Sequence, residues 1–163
     1  MAISHGAVLY AYDHNIISPR KAKYTFGIKC RQKWDDLKHK NGGIKILEND
    51  VYKCENCFSK FITKNEDIRS DEVRINEYKM LFSKVTVELY KTEKNNVIFC
   101  DEKDKNGKNK VEKFGEFIID VGNNYDRSKR KAIVKMKFGG TFISASAIYC
   151  ATGEKAKIIC LYE

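Results

Sequence analysis

The last third of the chain carries the pattern that most limits its fold, a succession of apolar–polar alternations joined by very short turns. Ala132 to Phe138 sets Val134, Met136 and Phe138 against Lys135 and Lys137. In an extended strand alternate side chains point to opposite faces, so one face of this segment is apolar and the other charged. Gly139-Gly140 leads into Phe142–Cys150, and Thr152-Gly153 leads into Lys155–Leu161. Connections this tight join antiparallel neighbours only, because a parallel partner needs a crossover of a dozen or more residues. The segment is therefore an antiparallel meander, and its apolar face has to be covered by a second layer.

Further strands precede it. Lys84–Tyr90 places Val85, Val87 and Leu89 on one face and Thr86 and Glu88 on the other; Tyr24–Ile28, Phe58–Ile62 and Phe114–Val121 read the same way. Lys38–Val51 reads as a connection holding a short apolar piece at Ile44–Leu47, and Val97–Cys100 as another. Thr63–Asn76 reads as a polar stretch, and Asp101–Lys113 as a mobile excursion of Asp, Lys, Asn and Gly. Many short strands with turns between them imply a mostly β domain, an antiparallel β-sandwich. A short N-terminal helix is expected over Ala2–Tyr12, with Ile3, Ala7 and Tyr10 on its apolar side, and Ser18-Pro19 holds the chain extended beyond it. The expected division is residues 1–18 as helix and linker, and 19–163 as the β-sandwich domain.

With 163 residues, 42% apolar, there is material for one core. The formal charge is +9, from 31 Lys and Arg against 22 Asp and Glu. The basic residues are interleaved with acids, and even the densest stretch, Arg127–Lys131, follows Asp126, which is the pattern of a solvated surface. No apolar run reaches the roughly 18 residues of a membrane helix, and Met1–Gly6 lacks the start of a secretory signal. A cytosolic location follows, and there the six cysteines stay reduced. Cys30, Cys100, Cys150 and Cys160 lie in apolar, strand-like runs, where cysteine behaves as a small buried hydrophobe.

No reaction follows from the residues. His5, His14 and His39 belong to no nucleophile motif, and Gly42-Gly43 and Gly139-Gly140 match no phosphate-binding loop. Cys54-Glu-Asn-Cys57 has the spacing of half a zinc site, with His39 and Cys30 as the nearby candidates for the rest. The other half of a site is missing, so the spacing reads first as an incidental pair in a loop, and no metal is assigned. A basic β-domain with aromatic residues also suits single-stranded nucleic acid. Against that, Phe114, Phe117 and Phe138 fall on the buried phase of their strands.

Ser4-His-Gly-Ala-Val-Leu-Tyr10, followed by Ile17-Ser-Pro-Arg-Lys-Ala-Lys-Tyr-Thr-Phe-Gly-Ile28, resembles a junction in the 70-kDa heat-shock protein family, in particular its divergent twelfth subfamily. The likeness continues through Phe58–Asn65, Val85–Tyr90, Phe114 to Thr141, Ala147-Ile148 and Thr152–Lys155. The resemblance implies the C-terminal, substrate-binding β-sandwich of that family, which holds extended apolar peptides through main-chain hydrogen bonds and a side-chain pocket. Carried over by position, Phe26, Ile28, Val85 and Val87 border the peptide channel. The implied function is a non-catalytic, chaperone-like module with extended apolar peptides or unfolded clients as partners.

On this resemblance, Met1 falls inside the last helix of the ATPase domain and Glu163 precedes the helical lid. ATP would then be a cofactor only if a separate ATPase domain is supplied as a partner. Ile16–Tyr24 is basic where the family's linker is acidic and leucine-rich, and Arg31–Lys53 is hard to match. The alternatives are a basic nucleic-acid-binding β-domain and an inactive fragment of a larger ATP-dependent chaperone.

Overall fold

Alternation of the kind seen in Ala132–Phe138 dictates the architecture. A computed structural model describes residues 20–69, 71–80, 84–120, 131–139, 142–149 and 155–161. In chain order the elements are β1 (Arg20–Lys21), β2 (Thr25–Lys33), α1 (Asp36–His39), β3 (Lys45–Glu48), β4 (Val51–Ile62) and β5 (Asp67–Ile68). They continue with β6 (Asp71–Lys79), β7 (Lys84–Thr92), β8 (Glu112–Asp120), β9 (Lys131–Gly139), β10 (Phe142–Tyr149) and β11 (Lys155–Leu161).

The meander forms as its turns require. β9, β10 and β11 pair antiparallel in sequence order, with Phe138 opposite Ile143 and Val134 opposite Ala147. β6 joins the free side of β9, giving a four-stranded sheet ordered β11-β10-β9-β6. A five-stranded sheet ordered β3-β4-β2-β7-β8 forms the second layer, and β1 with β5 makes a small two-stranded addition. The whole is mostly β and antiparallel, with the sheets in a sandwich-like arrangement.

One apolar cluster fills the space between the two larger sheets. Phe26, Ile28, Val87, Leu89, Phe117 and Ile119 meet Val134, Met136, Phe138, Ile143 and Ala145, all buried. Phe26 stands edge-on to Phe114 at 5.7 Å and tilted to Phe138 at 5.6 Å, within the range of favourable ring pairs. The alternation of β7 emerges as expected: Val87 and Leu89 are buried, Val85 packs partly buried on the same core, and Thr86 faces out.

Three segments differ from the sequence expectation. Thr63–Asn76 contains β5 and the first part of β6, not only a polar connection. β6 inverts the usual pattern: Val73 and Ile75 are exposed, while Glu72, Arg74, Asn76 and Tyr78 are half-buried. The inward polar groups are satisfied, Arg74 by Glu66 at 2.6 Å and Glu72 at 2.9 Å, and the Tyr78 hydroxyl by Ser59 Oγ at 2.8 Å. Asp101–Lys113 is a structured turn: Glu102 Oε1 accepts from the amides of Ile98 and Phe99, Asp104 Oδ1 accepts from those of Asn106 and Lys108, and Val111 is buried. Lys38–Val51 carries the end of α1 and all of β3.

The strand pairing of β2 with β4 slips twice, between Phe26 and Gly27 and between Cys30 and Gln32. At the first slip a side chain cannot be accommodated, since a Cβ on Gly27 would lie 2.2 Å from the Ser59 carbonyl oxygen. The helix expected over Ala2–Tyr12, the division near residue 18, Arg127–Arg130, Cys150 and the Cys160 side chain lie outside the described residues. Among the described residues no helix is long and apolar enough to cross a membrane.

Candidate functional site

A cleft of about 810 Å³ opens where the two sheets part, along β2, β4, β7 and the end of β6. Ile28, Val85, Val87, Met80, Ile119 and Val134 supply its apolar lining. Three of the four residues expected at a peptide channel, Ile28, Val85 and Val87, are thus brought together here. Phe26 is not on the lining; it is 1% exposed and packed among the rings of the main core. Phe26 and Ile28 share one face of β2 and one core cluster, and Ile28, two residues further along the strand, is the one that also reaches the cleft.

The polar lining is unevenly charged. Lys29, Arg31, Lys33, Lys53, Lys79 and Lys84 border the cleft against Glu55, Glu77 and Glu88. Each of those carboxylates has a basic neighbour: Glu55 has Arg31 at 3.7 Å, Glu77 has Lys131 at 3.4 Å, and Glu88 has Lys113 at 2.9 Å and Lys29 at 3.6 Å. Lys33, Lys79 and Lys84 make no ion pair among the described residues. The cleft therefore presents an apolar interior and a cationic rim. Among the described residues β6 is the outer strand of its sheet, so one row of its backbone amides and carbonyls has no strand partner among them. Tyr78, on this strand, lines the cleft, and burial pushes its phenol up to about 12.

Next to the cleft lies a second cluster, and Cys30 belongs to both. Cys54 and Cys57 are not a loop pair; both sit inside β4, buried at 0% and 1% exposure. In a regular strand residues i and i+3 face opposite ways. Here Cys30 is opposite Cys57 and Gln32 opposite Cys54, so three steps along β4 span two along β2. That bulge puts both thiols on the side that Cys30 faces. His39, the last residue of α1, is also buried, with Nε2 3.6 Å from Cys57 Sγ. Its ring lies against those of Trp34 and Phe99. Asn56, 2% exposed, ties the cluster down: its Oδ1 accepts from the Ile44 amide at 2.8 Å, and its Nδ2 donates to Gly42 O at 3.1 Å and Asp101 Oδ1 at 2.7 Å. Burial pushes the thiols of Cys57, Cys100 and Cys30 up, so they are protonated at neutral pH when nothing else binds them.

Comparison with known proteins gives a consistent but distant likeness. No protein-family profile matches the chain. It is 25% identical to heat shock 70 kDa protein 12A of Homo sapiens and 24% identical to heat shock 70 kDa protein 12A of Mus musculus. Each alignment runs over 164 positions and covers 97% of this chain but 23% of the relative. The chain thus spans less than a quarter of the length of these curated relatives, and the likeness is a distant one to the 70-kDa heat-shock proteins.

Proposed function

We propose that this chain is a non-catalytic, chaperone-like β-sandwich module that holds extended peptides bearing apolar side chains in the cleft between its sheets. The observation that carries the reading is the convergence of Ile28, Val85 and Val87 on one apolar-lined cleft beside the open edge of β6. An extended peptide added to such an edge gains main-chain hydrogen bonds, and alternate side chains then enter the cleft. Lys33, Lys79 and Lys84, which make no ion pair among the described residues, favour peptides whose apolar residues are flanked by Asp or Glu. The distant likeness to heat shock 70 kDa protein 12A supports the same class of function.

The test is fluorescence anisotropy with a labelled extended peptide of alternating Leu and Val flanked by Glu, beside a labelled single-stranded oligonucleotide. The expected result is peptide binding that persists at high salt, because its core is apolar, and that weakens at least about tenfold in Val85→Asp. Lys79→Glu combined with Lys84→Glu, both exposed and outside the core, should weaken only the acidic-flanked peptide, by about threefold to tenfold at low salt. Oligonucleotide binding that falls steeply with salt, with no peptide signal, would replace this reading by a basic nucleic-acid-binding one.

A further inference from the structure

The cluster beside the cleft has no role in the peptide reading, and its atoms are arranged for a different one. His39, Cys54 and Cys57 each offer one ligand atom, these atoms all lie within 4.8 Å of one another, and all three residues are buried. Nitrogen and sulfur ligands at their usual distances around one tetrahedral zinc ion are roughly 3.3–3.8 Å apart. The 3.6 Å from His39 Nε2 to Cys57 Sγ already falls in that range.

The segment these residues anchor shows a need for such a link. Trp34 to Asp50 contains a helix of one turn, too short to persist alone. β3 ties its second half to β4, with Ile46 half-buried, but the aliphatic Leu37 of the first half is 98% exposed, and Ile44 is 45% and Leu47 61% exposed. The deepest side chain it contributes is a histidine, aimed at two thiols that a β-bulge has turned to one side. The fit around Cys54 is close, for a Cβ on Gly43 would lie 3.0 Å from its Sγ.

We propose that His39, Cys54 and Cys57 bind one thiophilic divalent cation, zinc by its borderline-soft donor set, and that this ion pins Trp34–Gly43, the part that precedes β3, to the sheet. Binding releases the two thiol protons and forms two Zn–S bonds and one Zn–N bond. The Asp35 amide donates to His39 Nδ1 at 2.9 Å, which puts the hydrogen of the neutral ring on Nε2, facing Cys57. Coordination through Nε2 moves that hydrogen to Nδ1 and breaks the Asp35 bond. Loss of the thiol protons ends the bonds that Cys54 Sγ donates to Asn56 Oδ1 at 3.2 Å and Cys57 Sγ to the Cys54 carbonyl at 3.9 Å, so loading sets three hydrogen bonds against three coordinate bonds. The fourth position is left to water or to Cys30, which packs against Cys54 and Cys57.

The experiment uses the full chain, reduced and stripped of metal, titrated with cobalt(II) and then zinc(II). One equivalent of cobalt should bind with thiolate charge-transfer absorption and tetrahedral d–d bands, zinc should displace it, and the Asp35 amide resonance should shift. Cys54→Ser and Cys57→Ser should each weaken binding by at least about 100-fold, and His39→Gln by about tenfold or more. If those variants fail to fold, zinc-edge X-ray absorption of the loaded unmodified chain decides. Two or three sulfur ligands at about 2.3 Å with nitrogen at about 2.0 Å support the site. No cobalt charge-transfer band at equimolar metal, an oxygen and nitrogen shell without sulfur, or unchanged affinity in folded Cys54→Ser would overturn it.

Discussion

Between the sheets, Phe26, Leu89, Met136 and Phe138 meet with hardly a polar atom among them. At the bulged end of β2 and β4, by contrast, two thiols, an imidazole and an amide are buried around the single ring of Phe99, and the segment above them leaves Leu37 and Leu47 in water. The first region is stabilised by area removed from water, which is indifferent to detail and cooperative over the whole domain. The second depends on a few directional contacts, so it is specific, local and sensitive to what binds it. The cleft lies where the two regimes meet, sharing Ile28 and Val87 with one and Cys30 with the other. An apolar interior with a polar rim is what an extended, apolar ligand requires.

The comparison can be broken most readily at the centre. Phe138→Ala removes a fully buried ring and should lower the stability of the whole domain by about 3–5 kcal/mol in denaturant titration. Asn56→Ala should cost about 1–3 kcal/mol, for the Ile44 amide, the Gly42 carbonyl and Asp101 all lose a partner. Its signature should be local: hydrogen exchange accelerates at Ile44 and the neighbouring segment, while β9 and β10 stay protected. A uniform loss of protection would show that the two regions are one cooperative unit.

The pH dependence sharpens the contrast. Burial raises the Tyr78 phenol to about 12 in the folded chain, against about 10 when unfolded. A raised value means the folded state holds the proton more tightly, so its contribution is complete below about pH 10 and is lost as pH rises toward 12. Stability should fall over that window, and Tyr78→Phe should flatten the fall. The smallest effect belongs to Leu37→Ser: at 98% exposure it should change stability by less than about 0.5 kcal/mol.

What sequence could reveal follows the same division. The meander β9–β11 was legible from its short turns, and the faces of β9 and β7 from apolar residues that alternate with polar or charged ones and are buried accordingly. β6 was hidden because Val73 and Ile75 point outward and the inward positions are polar, the reverse of the signal a strand gives. The thiol pair was misplaced for a related reason. Cys54 and Cys57 share a side only through a bulge set by pairing with β2, and pairing is not written in the residues of β4 alone. His39 gave no sign of burial because α1 is too short to show a helical period. Of the channel residues suggested by family resemblance, Ile28, Val85 and Val87 meet at the cleft, while Phe26 packs in the core.

The most direct test of the central claim is to map methyl and amide resonances of the chain during titration with an unlabelled extended apolar peptide flanked by glutamates. The account predicts saturable shifts at Ile28, Met80, Val85, Val87 and Val134 and along the outer edge of β6, with Phe26, β10 and β11 unmoved. Shifts confined to another surface, or none with peptide in large excess, would contradict it.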